Sequence, residues 1–396
     1  MSTEKRNENF MLKQSRYSKG KKNVKQYSKN NASKKSGSGK NSYNAYYKKN
    51  DDGFQPKSNG KSNYGKKKYP SKPKGYPKKN AQKPSIKIAF LGGLNEIGKN
   101  ITLVECENDI IIIDCGMAFP DGDMLGVDLV IPDFTYIEQN ADRVKGIILT
   151  HGHEDHIGGL PFLLSKVNVP IYGTPLTLGL VGNKLKEHSL YNQSQLNVIN
   201  AGQSIKLGCM KIDFIHVNHS IPDAVAFAIH TPGGTIVHTG DFKIDCTPIT
   251  GDMIDLSSFA RVGDEGVLAL LSESTNAERP GYTPTERTVS DSLDNLFKSA
   301  ENYRIIIATF ASNVNRVQQI IDCAEKYGRK VAFSGRSMVN YMDVAQKLGY
   351  LHLPENILID IDMLDKYMPQ QVVLVTTGDE RTFKNGIFGP PQGNGR

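Results

Sequence analysis

The sequence contains no tryptophan, only five cysteines, and no apolar run long enough to cross a membrane. No two cysteines form a Cys-x-x-Cys pair, which is typical of reduced thiols in a cytosolic protein rather than of a disulfide framework. An apolar N-terminal segment of the signal-peptide type is also absent. The sequence therefore predicts a cytoplasmic protein that is neither secreted nor membrane-spanning.

Acidic residues are scarce at the N-terminus, where residues 1–84 contain 24 Lys+Arg against 4 Asp+Glu. This segment carries a charge of +20, and the rest of the chain carries −12. Aliphatic residues are nearly absent from it, so it cannot bury enough apolar surface to offset the entropy of ordering, and we predict a disordered tail.

The composition of this tail also suggests a partner. Its lysines can bind phosphates, and tyrosines lie between them that can stack on unpaired bases. We therefore expect contact with RNA or another polyanion. The alternative is a solubilising or tethering tail without a specific partner.

One short segment carries most of the chemistry in the remaining chain: His151-Gly152-His153-Glu154-Asp155-His156. It follows an apolar run and precedes a glycine pair, a pattern typical of a strand, a loop and a helix start. On an extended loop His151 and His153 point the same way and can hold one metal ion, whereas Asp155 and His156 suit a second. Imidazoles combined with a carboxylate favour zinc, with manganese next. The alternative is a solvated histidine-rich loop.

Three residues that each follow a predicted strand can join this cluster. Asp114 can orient an imidazole, as carboxylates beside metal ligands often do. His219 lies on a loop where it can supply a third imidazole to the first ion, with His216 as a weaker candidate. Asp241 can bridge two cations through its two carboxylate oxygens.

The order of these residues resembles that of the metallo-β-lactamase fold, a sandwich of two β-sheets with helices on the outside. Three further segments are similar to the ribonuclease J family, bacterial RNA-processing enzymes of the β-CASP branch. These segments are Leu91-Gly92-Gly93-Leu94-Asn95-Glu96-Ile97-Gly98-Lys99-Asn100, Asn218-His219-Ser220-Ile221-Pro222-Asp223 and Leu271-Ser272-Glu273-Ser274-Thr275-Asn276-Ala277. We therefore predict an α/β protein with a tail (1–84), a metallo-β-lactamase αββα domain (85–285) and an inserted, incomplete β-CASP α/β domain (286–396).

The resemblance also implies an activity and a metal content. It implies two zinc ions per chain and a hydroxide between them that attacks the phosphorus of an RNA phosphodiester. The implied ligands are His151, His153 and His219 for one ion, Asp155 and His156 for the other, and Asp241 between them. The implied function is 5′-to-3′ exonuclease and endonuclease action in the maturation of ribosomal RNA and the decay of messenger RNA.

Further residues take roles from the same resemblance. Glu273 would assist proton transfer to the leaving oxygen, and the alternative is an N-terminal helix cap or a surface acid. Phe310, Ala311 and Ser312 follow a predicted strand and open a helix, where backbone amides can hold a substrate phosphate. Arg336 follows the next strand and can add a phosphate contact, although a helix start alone also explains it.

The chain departs from the family pattern after residue 378. A Ser-Gln-Gly-Glu-Pro-like continuation is expected there, whereas residues 379–396 begin Asp379-Glu380-Arg381-Thr382-Phe383-Lys384 and show no apolar periodicity. We interpret the sequence as a truncated or frame-shifted product, or a fragment. The family's later Ser-Gly-His segment and the last histidine on the second zinc would then be absent.

Three functions are therefore compared: a zinc-dependent ribonuclease, a hydrolase of small esters or thioesters, and a catalytically damaged RNA-binding fragment. The histidine cluster alone permits the ester hydrolase, but the Ser272-Glu273-Ser274-Thr275 segment and the second domain favour the ribonuclease. By resemblance, the expected assembly is a homodimer or homotetramer.

Overall fold

The computed structural model describes residues 83–377. The predicted basic tail, apart from its last two residues, and the divergent end at 379–396 lie outside the described residues. The strands are β1 (Ile86–Gly92), β2 (Ile101–Cys106), β3 (Asp109–Ile113), β4 (Val144–Ile148), β5 (Ile171–Gly173), β6 (Leu196–Val198), β7 (Ser204–Leu207), β8 (Met210–His216), β9 (Val225–Thr231), β10 (Gly234–His238), β11 (Ala269–Leu271), β12 (Ile305–Ala308), β13 (Lys330–Ser334) and β14 (Val372–Thr376). The helices are α1 (Thr135–Gln139), α2 (Glu154–Ile157), α3 (Leu160–Leu164), α4 (Pro175–Glu187), α5 (Leu256–Glu265), α6 (Arg287–Ser299), α7 (Val314–Lys326) and α8 (Arg336–Lys347).

The first sheet contains β1 to β6 in sequence order. Its first three strands are antiparallel, and β3 to β6 are parallel. Successive side chains of a strand point to opposite faces, so Ile110 and Ile112 enter one core while Ile111 and Ile113 enter another. Both faces are covered, which explains why β3 reads as a continuous apolar run instead of an alternating one.

The second sheet has the order β11-β10-β9-β8-β7. One face packs against the first sheet, where Phe214 and Phe227 share a core with Val104 and Ile111. Its other face packs against α5 through Val262. Two sheets with helices outside are the predicted metallo-β-lactamase sandwich, and this prediction is confirmed.

The third sheet is parallel throughout, with the order β12-β14-β13. Helices α7 and α8 lie against one face, and their core is continuous with the helix-covered face of the first sheet. This sheet and its helices form the predicted β-CASP α/β unit. The shared core joins the two parts where α8 packs beside α4.

One boundary differs locally from the sequence expectation. The helix after the Phe310-Ala311-Ser312 turn begins only at Val314, because Asn313 caps it by accepting a hydrogen bond from the Arg316 backbone N–H. Across residues 83–377, no helix has both the length and the apolar character needed to cross a membrane.

Candidate metal centre

The histidine segment follows β4 and runs into α2. His151 and His153 are in the extended part, as predicted, and His153 is the residue before the helix. The prediction of an extended loop is wrong for Asp155 and His156, which lie within the four-residue helix α2. This helical turn brings the ring of His156 to within 4.1 Å of the His151 ring, measured between centroids.

Three imidazoles converge on one point, as predicted for the first ion. Nε2 of His151 lies 2.9 Å from Nδ1 of His153, which lies 3.3 Å from Nε2 of His219. A tetrahedral zinc ion with Zn–N bonds of about 2.0–2.1 Å separates its nitrogens by about 3.3 Å, so these spacings fit a metal ion. His216, the weaker candidate, instead has its Nε2 3.1 Å from the Asp252 carbonyl oxygen.

The protonation of these three rings suits metal binding. Burial lowers the pKa of His153 to about 3 and that of His219 to about 4. Burial and the neighbouring imidazoles also hold the pKa of His151 well below its usual value. Neutral rings keep a nitrogen lone pair available, which a metal ligand requires.

The second group consists of His151, His156 and Asp241, so His151 belongs to both groups. The two oxygens of Asp241 face different rings, with Oδ1 3.6 Å from Nε2 of His156 and Oδ2 3.7 Å from Nε2 of His219. This is the arrangement expected of a carboxylate between two cations. Asp155 lies beside the group, with Oδ2 3.5 Å from Nε2 of His156.

Asp114 occupies the orienting position that the sequence suggested. Its Oδ2 lies 2.8 Å from Nδ1 of His156 and accepts a hydrogen bond from the Thr150 hydroxyl at 2.8 Å, while its Oδ1 accepts the Thr150 backbone N–H at 2.8 Å. The same hydroxyl lies 3.0 Å from Nδ1 of His151. This network assigns the Nδ1 protons of both histidines and turns their Nε2 atoms toward the metal groups.

The protonation of His156 differs from that of the other three rings. Burial opposes its charge, but the carboxylate of Asp114 at 2.8 Å and, less closely, those of Asp155 and Asp241 raise its pKa well above the usual value. In turn, the charge of His156 helps to hold the pKa of Asp241 at about 2 despite burial. Without a metal ion, a proton on His156 therefore supplies positive charge to this side.

The sequence interpretation missed Thr150 and Asn100. The Asn100 amide donates to the Asp155 carbonyl oxygen at 3.0 Å and to Oδ2 of Asp155 at 3.2 Å, and its backbone N–H also donates to that carbonyl. A Cβ on Gly116 would lie 1.6 Å from the same carbonyl oxygen, so only glycine fits there. Asn100 is the last residue of the glycine-rich segment that carries the family resemblance. That resemblance was the signal in the sequence that could have pointed to Asn100.

Glu273 follows β11, near the loop that carries Asp241. Its backbone N–H donates to the Thr239 hydroxyl at 3.2 Å, and its carboxylate accepts the Thr275 N–H at 2.8 Å. The carboxylate therefore caps its own turn. Among residues 83–377 no hydrogen bond or ion pair joins it to the histidines.

The predicted substrate residues lie in the second domain. Phe310 is 82% exposed and Ala311 is buried. Asn313, which follows Ser312, lines a cleft together with His219 and Lys243, so the Phe-Ala-Ser turn lies beside a cleft that reaches His219. Arg336 is the exposed first residue of α8.

The fold and the histidine cluster define a protein of the metallo-β-lactamase superfamily. The model for this superfamily matches residues 94–281, and the model described as "Ribonuclease J, beta-CASP domain" matches residues 302–383. The chain belongs to the ribonuclease J family. A metal cofactor is consistent with this family and with the His/Asp cluster.

Curated relatives are similar along most of the chain. Ribonuclease J of Helicobacter pylori strain J99 is 46% identical over 307 residues, which cover 77% of this chain and 44% of the relative. Ribonuclease J2 of Bacillus subtilis is 44% identical over 303 residues, covering 76% and 54%. Ribonuclease J of Mycobacterium tuberculosis strain H37Rv is 47% identical over 296 residues, covering 74% and 52%. The chain thus spans about half the length of these relatives.

A solved structure supports the fold independently. The crystal structure of a protein of unknown function from Enterococcus faecalis V583 aligns with a TM-score of 0.55 and 18% identity. The alignment covers 75% of this chain and 78% of that one.

Proposed function

We propose that this chain carries the metal centre of a ribonuclease that hydrolyses RNA phosphodiesters. The convergence of three neutral imidazoles with the two-sided carboxylate of Asp241 supports this proposal most strongly. The curated relatives are named ribonuclease J, and RNA is the substrate that this name indicates. The proposed reaction includes 5′-to-3′ exonuclease and endonuclease cleavage.

Zinc is the proposed metal, with manganese as the second candidate. The proposed ligands are His151, His153 and His219 on one side, Asp155 and His156 on the other, and Asp241 between them. Imidazole nitrogens favour zinc, and the carboxylates tolerate manganese. When bound, such ions lower the pKa of water to near neutrality and withdraw charge from the phosphoryl oxygens.

The chain's own residues position and shield this chemistry. Thr150 and Asp114 fix the ring orientations, so His151 and His156 present Nε2 without rearrangement. Glu273 is proposed to assist proton transfer to the leaving oxygen: its carboxylate would leave the Thr275 N–H, take up the proton of the attacking water and pass a proton to the leaving oxygen. Phe310, Ala311, Ser312 and Arg336 are proposed to bind the RNA, with Phe310 stacking on a base through its exposed ring.

The proposal is tested by incubating zinc- or manganese-loaded protein with a 5′-monophosphorylated RNA and, separately, with a thioester. We expect RNA cleavage that a chelator abolishes and that Asp241→Asn reduces. His216→Ala is the matched control, since His216 lies near the same loop but outside both groups.

The other outcomes separate the remaining functions. Thioester cleavage without RNA cleavage would favour a small-molecule hydrolase. RNA binding without turnover by folded, metal-loaded protein would favour the RNA-binding fragment.

A further inference from the structure

Helix α8 of the second domain lies directly behind the metal loops of the first. Its Tyr341 and the Tyr350 that follows it each form a hydrogen bond to a different metal loop. These bonds join residues that are 189 and 127 positions apart in the sequence.

The first contact reaches the His151-Gly152-His153 segment. The Tyr341 hydroxyl donates to the Gly152 carbonyl oxygen at 3.1 Å, and the ring is 9% exposed. A Cβ on Gly152 would lie 2.6 Å from the Leu180 side chain, so this segment is confined by α4 on one side and held by Tyr341. Losing the bond would leave a buried carbonyl oxygen without its partner.

The second contact reaches the loop of His219. The Tyr350 hydroxyl donates to Oδ2 of Asp223 at 2.5 Å, and the same oxygen accepts the Leu176 backbone N–H at 3.3 Å. Asp223 has a positive φ of 71°, a conformation in which the loop reverses toward β9. Asp223 therefore ties the end of the His219 loop to the start of α4, and Tyr350 ties the same carboxylate to the second domain.

The docking of α8 on α4 depends on close packing. A Cβ on Gly179 of α4 would lie 2.8 Å from Cγ1 of Val344 and 2.9 Å from Cδ1 of Leu348. Val344 also belongs to the core that contains Leu180 and Ile221, the latter from the His219 loop. These contacts join α4, α8 and both loops through one continuous core.

We propose that Tyr341 and Tyr350 are positioning residues through which the second domain sets the distance between the two metal loops. His151 and His153 lie on one loop and His219 on the other, so their Nε2 and Nδ1 atoms meet only if both loops are held. The proposal rests on the metal centre of the proposed function. It goes further by assigning part of that centre's geometry to the second domain.

The test compares Tyr341→Phe, Tyr350→Phe and the double variant in the full chain. Zinc affinity is measured by competition with a chromophoric chelator, and hydrogen exchange is followed for residues 150–157 and 218–224 in metal-free protein. Each single change should weaken zinc binding by about twofold to tenfold, the effect of one hydrogen bond, and should speed exchange in its own loop. The double variant should lose less than the product of the single effects, because both act on one site.

Tyr327→Phe is the matched control. Its hydroxyl bonds to the Asp294 carboxylate at 3.1 Å within the second domain, away from both loops. We expect unchanged zinc affinity and unchanged exchange in both loops. A lowered melting temperature in the Tyr341 and Tyr350 variants with unaltered zinc affinity and loop exchange would overturn the proposal.

A second variant acts through packing instead of hydrogen bonding. Gly179→Ala should force α8 away from α4 and weaken zinc binding, whereas Gly263→Ala, where no atom lies within 4 Å of the new Cβ, should not. Equal zinc affinity in both variants would contradict the role of α8.

These readouts do not depend on RNA cleavage. If the wild-type protein binds zinc but cleaves no RNA, the ribonuclease proposal fails while the positioning proposal is still decided by zinc affinity. If it binds no zinc, the exchange of the two loops decides the positioning proposal alone.

Discussion

On one side of the metal centre, the neutral rings of His151, His153 and His219 face one another. On the other side, His156 lies between the carboxylates of Asp114, Asp155 and Asp241 and has a raised pKa. The first side can accept an ion without releasing a proton, whereas the second must exchange the His156 proton for the ion. Two adjacent groups built around histidine therefore differ in protonation before metal binds: the rings of the first are neutral, whereas His156 in the second carries a proton that the carboxylates stabilise.

The largest effect is expected where the two sides share a ligand. Asp241→Ala should weaken the binding of both ions, because its two carboxylate oxygens face the two sides. It should reduce RNA cleavage by on the order of a thousandfold, because metal-ion stabilisation of the transition state is worth several kcal/mol. Metal content and cleavage rate are measured together, with circular dichroism to confirm folding. His216→Ala should retain both, and retention of two tightly bound ions by folded Asp241→Ala protein would contradict the shared role.

A second prediction separates the two sides. His219→Ala should lose the ion of the neutral side and keep proton-linked binding at the other. His156→Ala should lose the ion of the second side and keep the ion of the neutral side, because the exchangeable proton lies on His156 itself. Metal stoichiometry by mass spectrometry of the native protein tests this, and identical losses in both variants would show that the sides do not bind independently.

A third prediction concerns the orientation of His156. Asp114→Asn should weaken metal binding by about tenfold to a hundredfold, the usual cost of removing a carboxylate behind a histidine ligand. The loss should be larger for the second ion, because Asp114 contacts His156 directly and reaches His151 only through Thr150. Asp109→Asn is the control and should bind metal normally, because Asp109 lies at the opposite end of β3 from Asp114 and accepts the Cys209 N–H.

The smallest predicted effect is on the pH dependence of stability without metal. The lowered pKa of His219, about 4, means that the unfolded chain takes up a proton below pH 6.5 that the folded chain does not. This contribution to stability is present above pH 6.5 and is lost as pH falls toward 4. His219→Ala should therefore flatten the acid side of the stability curve by about 1.4 kcal/mol per pH unit.

His156 has the opposite sign because its pKa is raised in the folded protein. Its contribution is complete below pH 6.5 and is lost as pH rises through the raised pKa. His156→Ala should remove this loss on the alkaline side. Urea unfolding in the presence of a chelator at a series of pH values measures both effects, and equal slopes in the two variants would contradict the assignment.

Much of the centre could be predicted from sequence because its ligands lie where strands end. His151, His153, His219 and Asp241 each follow or precede a buried strand, and strand ends meet at one edge of a sandwich. The helical placement of Asp155 and His156 was missed because four residues are too few to show helical periodicity. Thr150, Asn100, Tyr341 and Tyr350 were missed because their partners are set by packing between distant segments, which local pattern does not encode.

The most direct test is a zinc titration of the metal-free protein by calorimetry at pH 7 in buffers of different ionisation enthalpy. We predict two classes of ion: a tighter one whose histidine ligands release no proton and a weaker one that releases about one proton more, which comes from His156. A single class, or equal proton release from both, would contradict the two-sided centre on which the proposed function rests.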